Sequence, residues 1–400
     1  MPDPETTCTL VLGSNLNGYS AVQELADEGV RSIVLADHSR GLAARSRRIE
    51  RFEDCNQTSA GLLDLLERLH QSYEFIIPFP TSDLFVENLA KISDRVKDFC
   101  FIPFNPELVQ KFASKAMQYR ECARLGVPCP QTVFVEDKHD LGELDRLPLP
   151  IIAKPVSRED VLGKVWRSRI AETDEERYEL RADIVELLRS GLSFIVSEVI
   201  PGPESNIYSY MAYRCEDGEI LNEWTGRKLA QYPNAYGIFS TGSNQAPEVV
   251  AEQGRALVRG MGLNGLSQPE FKLDQRDGQY KLMEINLRAM MWHRTGNLAG
   301  VKLLYSQYLN ALGATVPKME QDKERDIHFI YLKHEIFNLV NRRGYFATFR
   351  RNLWGGDCNK WAIFSLRDPV PFLYDSLRTI SPLLKRFAKR VGRKLRFGLK

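Results

Sequence analysis

Two apolar segments that carry acids at matched positions offer the most chemistry in this 400-residue chain. Pro269-Glu270-Phe271-Lys272-Leu273-Asp274 and Tyr280-Lys281-Leu282-Met283-Glu284-Ile285-Asn286-Leu287-Arg288 read as two strands. The polar run Gln275-Arg276-Asp277-Gly278 joins them, with Asp-Gly as the turn signal. Strand side chains alternate, so Leu282, Glu284, Asn286 and Arg288 share one face, and a hairpin brings Glu270 beside Glu284 and Asn286. Two carboxylates, an amide oxygen and a nearby guanidinium form a hard oxygen cluster beside an anion-binding group. That donor set suits Mg²⁺ or Mn²⁺ holding a polyphosphate. A solvated surface hairpin is the competing reading, and Phe271, Leu273, Leu282 and Ile285 argue against it by implying a half-buried sheet.

Further candidates lie outside the hairpin. Lys154 ends the apolar strand Pro150-Ile151-Ile152-Ala153-Lys154-Pro155, and Lys115 falls in the middle of a helix expected from Asn105 to about Leu125. Both ammoniums suit phosphate oxygens. Ser197, Glu198, Val199 and Ile200 offer backbone groups and an apolar wall for a flat base, and Glu204 an acceptor for ribose hydroxyls. Of Arg227 and Lys228, Lys228 is the favoured γ-phosphate contact, although an exposed strand edge explains a lysine about as well. Arg294 is a candidate for a substrate carboxylate, whereas His293 reads as structural and Trp292 as core.

These residues need elements to position them. The first hundred residues alternate strand and helix, with strands expected at Thr9–Gly13, Ser32–Asp37, Phe75–Pro78 and Cys100–Ile102. That pattern predicts a small parallel α/β sheet whose strand ends form a crevice lined by the loops holding Asn15 and Asp83. Gly13-Ser14-Asn15-Leu16-Asn17-Gly18 is not a dinucleotide-binding glycine fingerprint. Beyond it, strands near 207–214, 219–228, 267–274 and 279–286 with a helix at Glu248–Met261 predict an α+β region. Phe329–Val340 reads as a helix. The expected division is an α/β domain over 1–106, an α+β domain over 107–316 with a small subdomain at about 130–200, and an extension over 317–400.

Composition narrows the class. Hydrophobic content of 43% and charged content of 26% describe a soluble globular chain without a run long enough to span a membrane. The N-terminal residues form no secretory signal, and seven scattered cysteines suggest reduced thiols, so a cytoplasmic setting is expected. Nine of the 54 Lys and Arg fall in 376–400, which holds no acid, so the remainder is net acidic. In this tail Leu377, Ile380, Leu384, Phe387, Val391 and Leu395 recur at helical spacing. A basic amphipathic helix there suits an anionic membrane surface, against the reading that it packs on the protein with a solvated basic face. Nothing in the tail resembles a nucleic-acid-binding motif, and no nucleic-acid partner is expected.

Taken in order, Lys115 in Phe112-Ala113-Ser114-Lys115, Lys154 in Ile152-Ala153-Lys154-Pro155, and Ser197-Glu198-Val199-Ile200-Pro201-Gly202-Pro203-Glu204, followed by Glu270, Glu284 and Asn286, resemble the ATP-grasp superfamily over residues 8–315. Leu12-Gly13-Ser14-Asn15, Thr81-Ser82-Asp83 and the segment after Lys154 are most similar to the D-aspartate ligase-like carboxylate–amine ligases. The resemblance implies an ATP-grasp fold with a Rossmann-like first domain, and ATP and Mg²⁺ as cofactors. It implies Lys115 and Lys154 on nucleotide phosphates, Glu198 and Ile200 on adenine, Glu204 on ribose, and Glu270, Glu284 and Asn286 on metal. Arg288 would stabilise phosphoryl oxygens or the tetrahedral intermediate. A carboxylate would be activated as an acyl phosphate and attacked by an amine, with release of ADP and phosphate. One departure stands out: Val156–Lys164, where many members carry a glycine-rich phosphate loop, holds only Gly163, with Ser157 or Lys164 left to assist. A dipeptide-forming enzyme, a carbamoyl-phosphate synthetase-like enzyme and a nucleotide-binding regulator without turnover are the alternatives.

Overall fold

The structure is a computed structural model and describes residues 2–156, 165–234 and 237–379. The readings placed on Ser157–Lys164 and on the tail beyond Thr379 lie outside the described residues.

The N-terminal part is a parallel sheet in the order β3-β2-β1-β4, built from β1 (Thr7–Leu12), β2 (Ile33–Asp37), β3 (Arg51–Asp54) and β4 (Phe75–Pro80). Helices α1 (Leu16–Asp27), α2 (Ser59–His70) and α3 (Asp83–Val96) cover it. Residues of β1, β2 and β4 are almost wholly buried, as strands covered on both faces must be. The expected fourth strand at Cys100 is only an isolated bridge to Ile76 beside β4; the fourth strand of the sheet is β3, at the opposite edge.

The helix expected over Asn105–Leu125 is two helices, α4 (Pro106–Phe112) and α5 (Lys115–Leu125). Lys115 is therefore the first residue of α5 and not mid-helix. A cation at the positive end of a helix is unfavourable and calls for a nearby carboxylate. Next comes a four-stranded sheet in the order β5-β8-β6-β7, formed by β5 (Thr132–Val135), β6 (Ile151–Pro155), β7 (Arg169–Ala171) and β8 (Phe194–Glu198). Helix α6 (Asp174–Leu188) lies against it, and the unit has its own core around Leu144, Leu180, Ile184 and Phe194.

The third sheet has seven strands in the order β13-β12-β9-β10-β11-β14-β15. These are β9 (Ile207–Arg214), β10 (Ile220–Tyr232), β11 (Ile238–Ser243), β12 (Gly265–Asp274), β13 (Gln279–Asn286), β14 (Ile327–Ile330) and β15 (Cys358–Trp361). Tyr208, Tyr210 and Ala212 of β9 pack with α5 and with α7 (Glu248–Gly260). Met211 and Tyr213 alternate with them onto the opposite face, where Trp224, Trp292, Val11 and Tyr19 join one core. That shared core packs the N-terminal sheet, α8 (His293–Leu298) and α9 (Leu303–Ala311) against the large sheet. Phe329 belongs to strand β14, and the helix read across it begins only at α10 (Leu332–Asn341). After α10 the chain continues through α11 (Phe346–Trp354) into β15, so β14 and β15 of the 317–400 segment extend the large sheet. No helix among the described residues is long and apolar enough to cross a membrane.

Candidate active site

The hairpin forms as its residues demand. Asp274 pairs with Gln279, Gly278 takes a positive φ of 73°, and its N–H donates to the Asp274 carbonyl at 2.8 Å. A β-bulge between Phe271 and Glu270 shifts the register by one, so Glu270 lies opposite Glu284 and Gln268 opposite Asn286, while Leu282, expected on the face of Glu284, packs with Phe271 and Ile285 in the core. Cross-strand neighbours of this kind hold their Cβ atoms roughly 5 Å apart. Glu270 also lies opposite Ser209 of β9, on the sheet face turned towards the N-terminal domain.

Each carboxylate faces an ammonium. Lys115 Nζ donates to Glu284 Oε2 at 2.7 Å, and Lys228 Nζ meets Glu270 at 2.9 and 3.1 Å. Partial burial pushes the Glu284 carboxyl up, but Lys115 beside it, with Lys228 and Lys154 beyond, outweighs that and holds it well below the usual carboxylate range. Lys154 is pushed down to about 8 by burial and by Lys115 next to it, with Glu284 opposing. Three lysines from α5, β6 and β10 thus converge on the two carboxylates. Crowded ammoniums disfavour each other's charge, and an anion relieves them.

Residues that the sequence did not single out hold this arrangement. Gln118 is buried; its Oε1 accepts Ile285 N–H at 2.9 Å, and its Nε2 donates to the Phe112 carbonyl at 2.8 Å. Tyr119 OH donates to the Met283 carbonyl at 2.9 Å. β13 is an edge strand, and these two side chains of α5 bind its outer rim, fixing Lys115 against Glu284.

Asn286 is buried and accepts from Arg288 Nη2 at 3.2 Å, while Arg288 Nε donates to Asp83 Oδ1 at 2.8 Å. The hairpin and the first turn of α3, where Asp83 sits instead of in the expected loop, therefore meet. Asn15 does not take part: it is exposed, and its side chain caps α1 by accepting from Asn17 and Gly18 N–H. Asn17 makes the bridge instead, donating to the Thr81 carbonyl at 3.1 Å and accepting Met291 N–H at 3.0 Å. Arg294 pairs with Asp27 and Asn297 and lines a cavity of about 360 Å³ with Tyr19, Gln23, Arg48 and Phe329. It shares no hydrogen bond or ion pair with Arg288 or the acidic pair.

The base-binding candidates divide in the same way. The Glu198 side chain is 1% exposed and binds Arg276 at 2.5 Å and Lys281 at 3.3 Å, with Asp274 completing the cluster through Lys281 at 2.7 Å. Its carboxylate is committed to this cluster, so only the backbone of Glu198 can meet a base. The Ser197 hydroxyl accepts from Thr132 at 3.0 Å. Ile200 is buried, and its carbonyl accepts from Lys272 Nζ at 2.7 Å. Glu204 is ion-paired with Arg342 of the C-terminal segment.

No group of three or more His, Cys, Asp or Glu side chains suited to a metal occurs among the described residues. The facing pair Glu270 and Glu284, with Asn286 on the same strand as Glu284, is an all-oxygen set that matches a hard cation such as Mg²⁺ when phosphate oxygens complete the shell.

A parallel sheet, a small antiparallel sheet and a large sheet bearing two facing carboxylates together make up the ATP-grasp fold. No family model matches the sequence. The chain is similar to D-aspartate ligase of Enterococcus faecium (strain Aus0004), 27% identical over 217 residues that cover 52% of this chain and 51% of that protein. It is also similar to D-alanine--D-alanine ligase of Acidiphilium cryptum (strain JF-5), 26% identical over 206 residues that cover 49% of this chain and 64% of that protein. The match thus spans about half the length of the first relative and just under two thirds of the second. Among solved structures, N5-carboxyaminoimidazole synthetase from Staphylococcus aureus complexed with ADP shares the fold, with a TM-score of 0.63, 14% identity, and 85% of each chain covered.

Proposed function

We propose that this protein is an ATP-dependent carboxylate–amine ligase that activates an amino-acid-like carboxylate as an acyl phosphate and passes it to an amine. The observation that carries the reading is Glu270 facing Glu284 across two strands, with Lys115, Lys154 and Lys228 converging on the pair. Similarity to D-aspartate ligase supports the amino-acid substrate class. Bound Mg²⁺ would neutralise phosphate charge at Glu270, Glu284 and Asn286. Lys115 and Lys228 then turn from carboxylate to phosphate oxygens, and Lys154 supplies a third cation. Ile200 and the backbone of Glu198 flank the adenine, and Glu204 accepts from the ribose. Arg288, held by Asp83 and Asn286, presents a fixed guanidinium to charge developing on the reacting carboxylate. The substrate lies between the first turns of α1 and α3, at Asn17 and Asp83, and Arg288. The basic run in 376–400 is the part of the chain suited to an anionic surface, a reading that stands on sequence alone.

The test is Mg²⁺-dependent ADP release from ATP across a panel of amino acids, paired in turn with amines and polyamines. Release that requires both an amino acid and an amine supports the ligase. Release driven by bicarbonate replaces it with a carboxylating enzyme, and nucleotide binding without release under every pairing replaces it with a regulator.

A proton should accompany the nucleotide. Lys154 sits near 8 in the free protein, and polyphosphate restores it towards its ordinary 10.5. The nucleotide complex binds more protons above about pH 8, so affinity falls as pH rises from there towards 10.5. Calorimetric titration with ADP at about pH 8.5, in two buffers of different ionisation heat, should show net proton uptake. Lys154→Gln should abolish that uptake, and a wild-type protein that takes up no proton would remove Lys154 from the phosphate site.

A further inference from the structure

We propose that Arg342, at the end of α10, is a positioning residue for the nucleotide ribose, orienting the Glu204 carboxylate so that one oxygen is held by the guanidinium and the other faces a ribose hydroxyl. The inference rests on Glu204 as the ribose acceptor and adds the group that aims it.

Arg342 Nη1 donates to Glu204 Oε1, and among the described residues nothing donates to Oε2. The two side chains are only 25% and 12% exposed. Lys272, the other nearby cation, gives its ammonium to the Ile200 carbonyl at 2.7 Å. The guanidinium is itself fixed, lying over the Tyr345 ring with Cζ 4.7 Å from the centroid. Tyr345 OH donates to Glu335 Oε2 at 3.1 Å. Glu335 is fully buried, and its Oε1 accepts from Ser240 and Thr241 of β11 at 2.7 Å each and from Asn352 at 3.2 Å.

A buried carboxylate bonded from several sides is rigid, and that rigidity passes through Tyr345 to Arg342. Gly344, at a φ of 73°, lets the chain reverse between α10 and α11 so that Arg342 and Tyr345 face each other. A partly exposed ion pair adds little stability, so the contact is of more use as an aiming device than as glue. Stacking and a planar fork set an angle that a lysine cannot.

The test uses the full chain and measures dissociation constants for ADP, 2′-deoxy-ADP and 3′-deoxy-ADP with Mg²⁺ by calorimetry. Wild type should prefer ADP over at least one analogue by about tenfold, the scale of one hydrogen bond to a charged acceptor. Arg342→Ala should cut that preference to about threefold or less, and Arg342→Lys should restore part of it. Circular dichroism on the same samples checks that they fold. Undiminished preference in Arg342→Ala overturns the inference, as does tighter ADP binding, which would make Arg342 a competitor of the ribose. Glu204→Ala separates the two layers. If it loses the preference while Arg342→Ala keeps it, Glu204 remains the ribose residue and only the positioning role fails. If Glu204→Ala keeps the preference, the ribose assignment itself is wrong.

Discussion

Glu284→Gln is expected to abolish Mg²⁺-dependent ADP formation, by about a thousandfold or more, while the protein stays folded. The substitution keeps the shape of the side chain and removes one full negative charge from the pair facing Glu270. Metal-held phosphate charge is worth several kcal/mol in the transition state, and each 1.4 kcal/mol is a tenfold change in rate, which sets the magnitude. The side chain is 39% exposed and belongs to no core cluster, so the fold has little at stake. Glu284 is also the ion-pair partner of Lys115, and Lys115→Met separates the two roles. Losing the lysine should raise the KM for ATP and leave the Mg²⁺ concentration for half-maximal rate near its wild-type value. Losing the glutamate should shift the metal dependence itself. Identical behaviour of the two variants would reduce Glu284 to a partner of Lys115, and the metal assignment would go with it.

Lys281→Met is expected to cost about 3 kcal/mol of stability without touching the phosphate site. Lys281 lies between Glu198, Asp274 and Asp277 at 3.3, 2.7 and 3.0 Å. Glu198 and Asp274 are at most 1% exposed, so removing the ammonium leaves buried negative charge short of a partner. Arg276 still covers both, which keeps the loss near the lower end of the range for broken buried pairs. Arg276 holds the Asp274 carboxyl well below its ordinary range, and Lys281 adds to that. A depressed carboxylate stabilises the fold above its unfolded value near 3.8, and that contribution fades as pH falls below it. With Lys281 gone the Asp274 carboxyl rises, so acid unfolding should begin at a higher pH than in wild type. Urea midpoints at neutral pH and acid titrations followed by circular dichroism read both effects. An unchanged midpoint would show that Arg276 alone satisfies the cluster.

The sequence was legible where periodicity was clear. The hairpin from Glu270 to Asn286 is legible from its alternation and Asp-Gly turn, but strict alternation from that turn would set Glu270 opposite Met283; a β-bulge next to Phe271 shifts the register by one and brings Glu284 there instead. Four strands without that alternation escape recognition: β3, the three-residue β7 and β15 lie at sheet edges, and β11 is mostly small and polar. Phe329 and Ile330, the last two residues of β14, read as helix because they run without a break into the apolar stripe of α10, and a short apolar run fits either period. Residue type points to candidate groups for the site, but not to where their polar atoms turn. Glu198 looks like a base-binding residue, yet its carboxylate is turned towards Arg276 and Lys281, a choice decided by strands far away in sequence. Gln118 and Asn17 carry no motif, and their importance lies in backbone groups they satisfy on other elements. The Arg342–Glu204 pair spans 138 positions, so only the folded chain reveals it.

Strands β14 and β15 give the C-terminal segment a consequence for anyone who would shorten the protein. β14 covers the open rim of β11 through Thr241, Gly242 and Ser243, and β15 covers β14 in turn. A chain stopped before β14 would leave β11 with a row of unsatisfied amides and carbonyls beside Phe239, an invitation to pair with another molecule. Trimming to an apparent catalytic minimum would therefore trade a closed sheet for a sticky one.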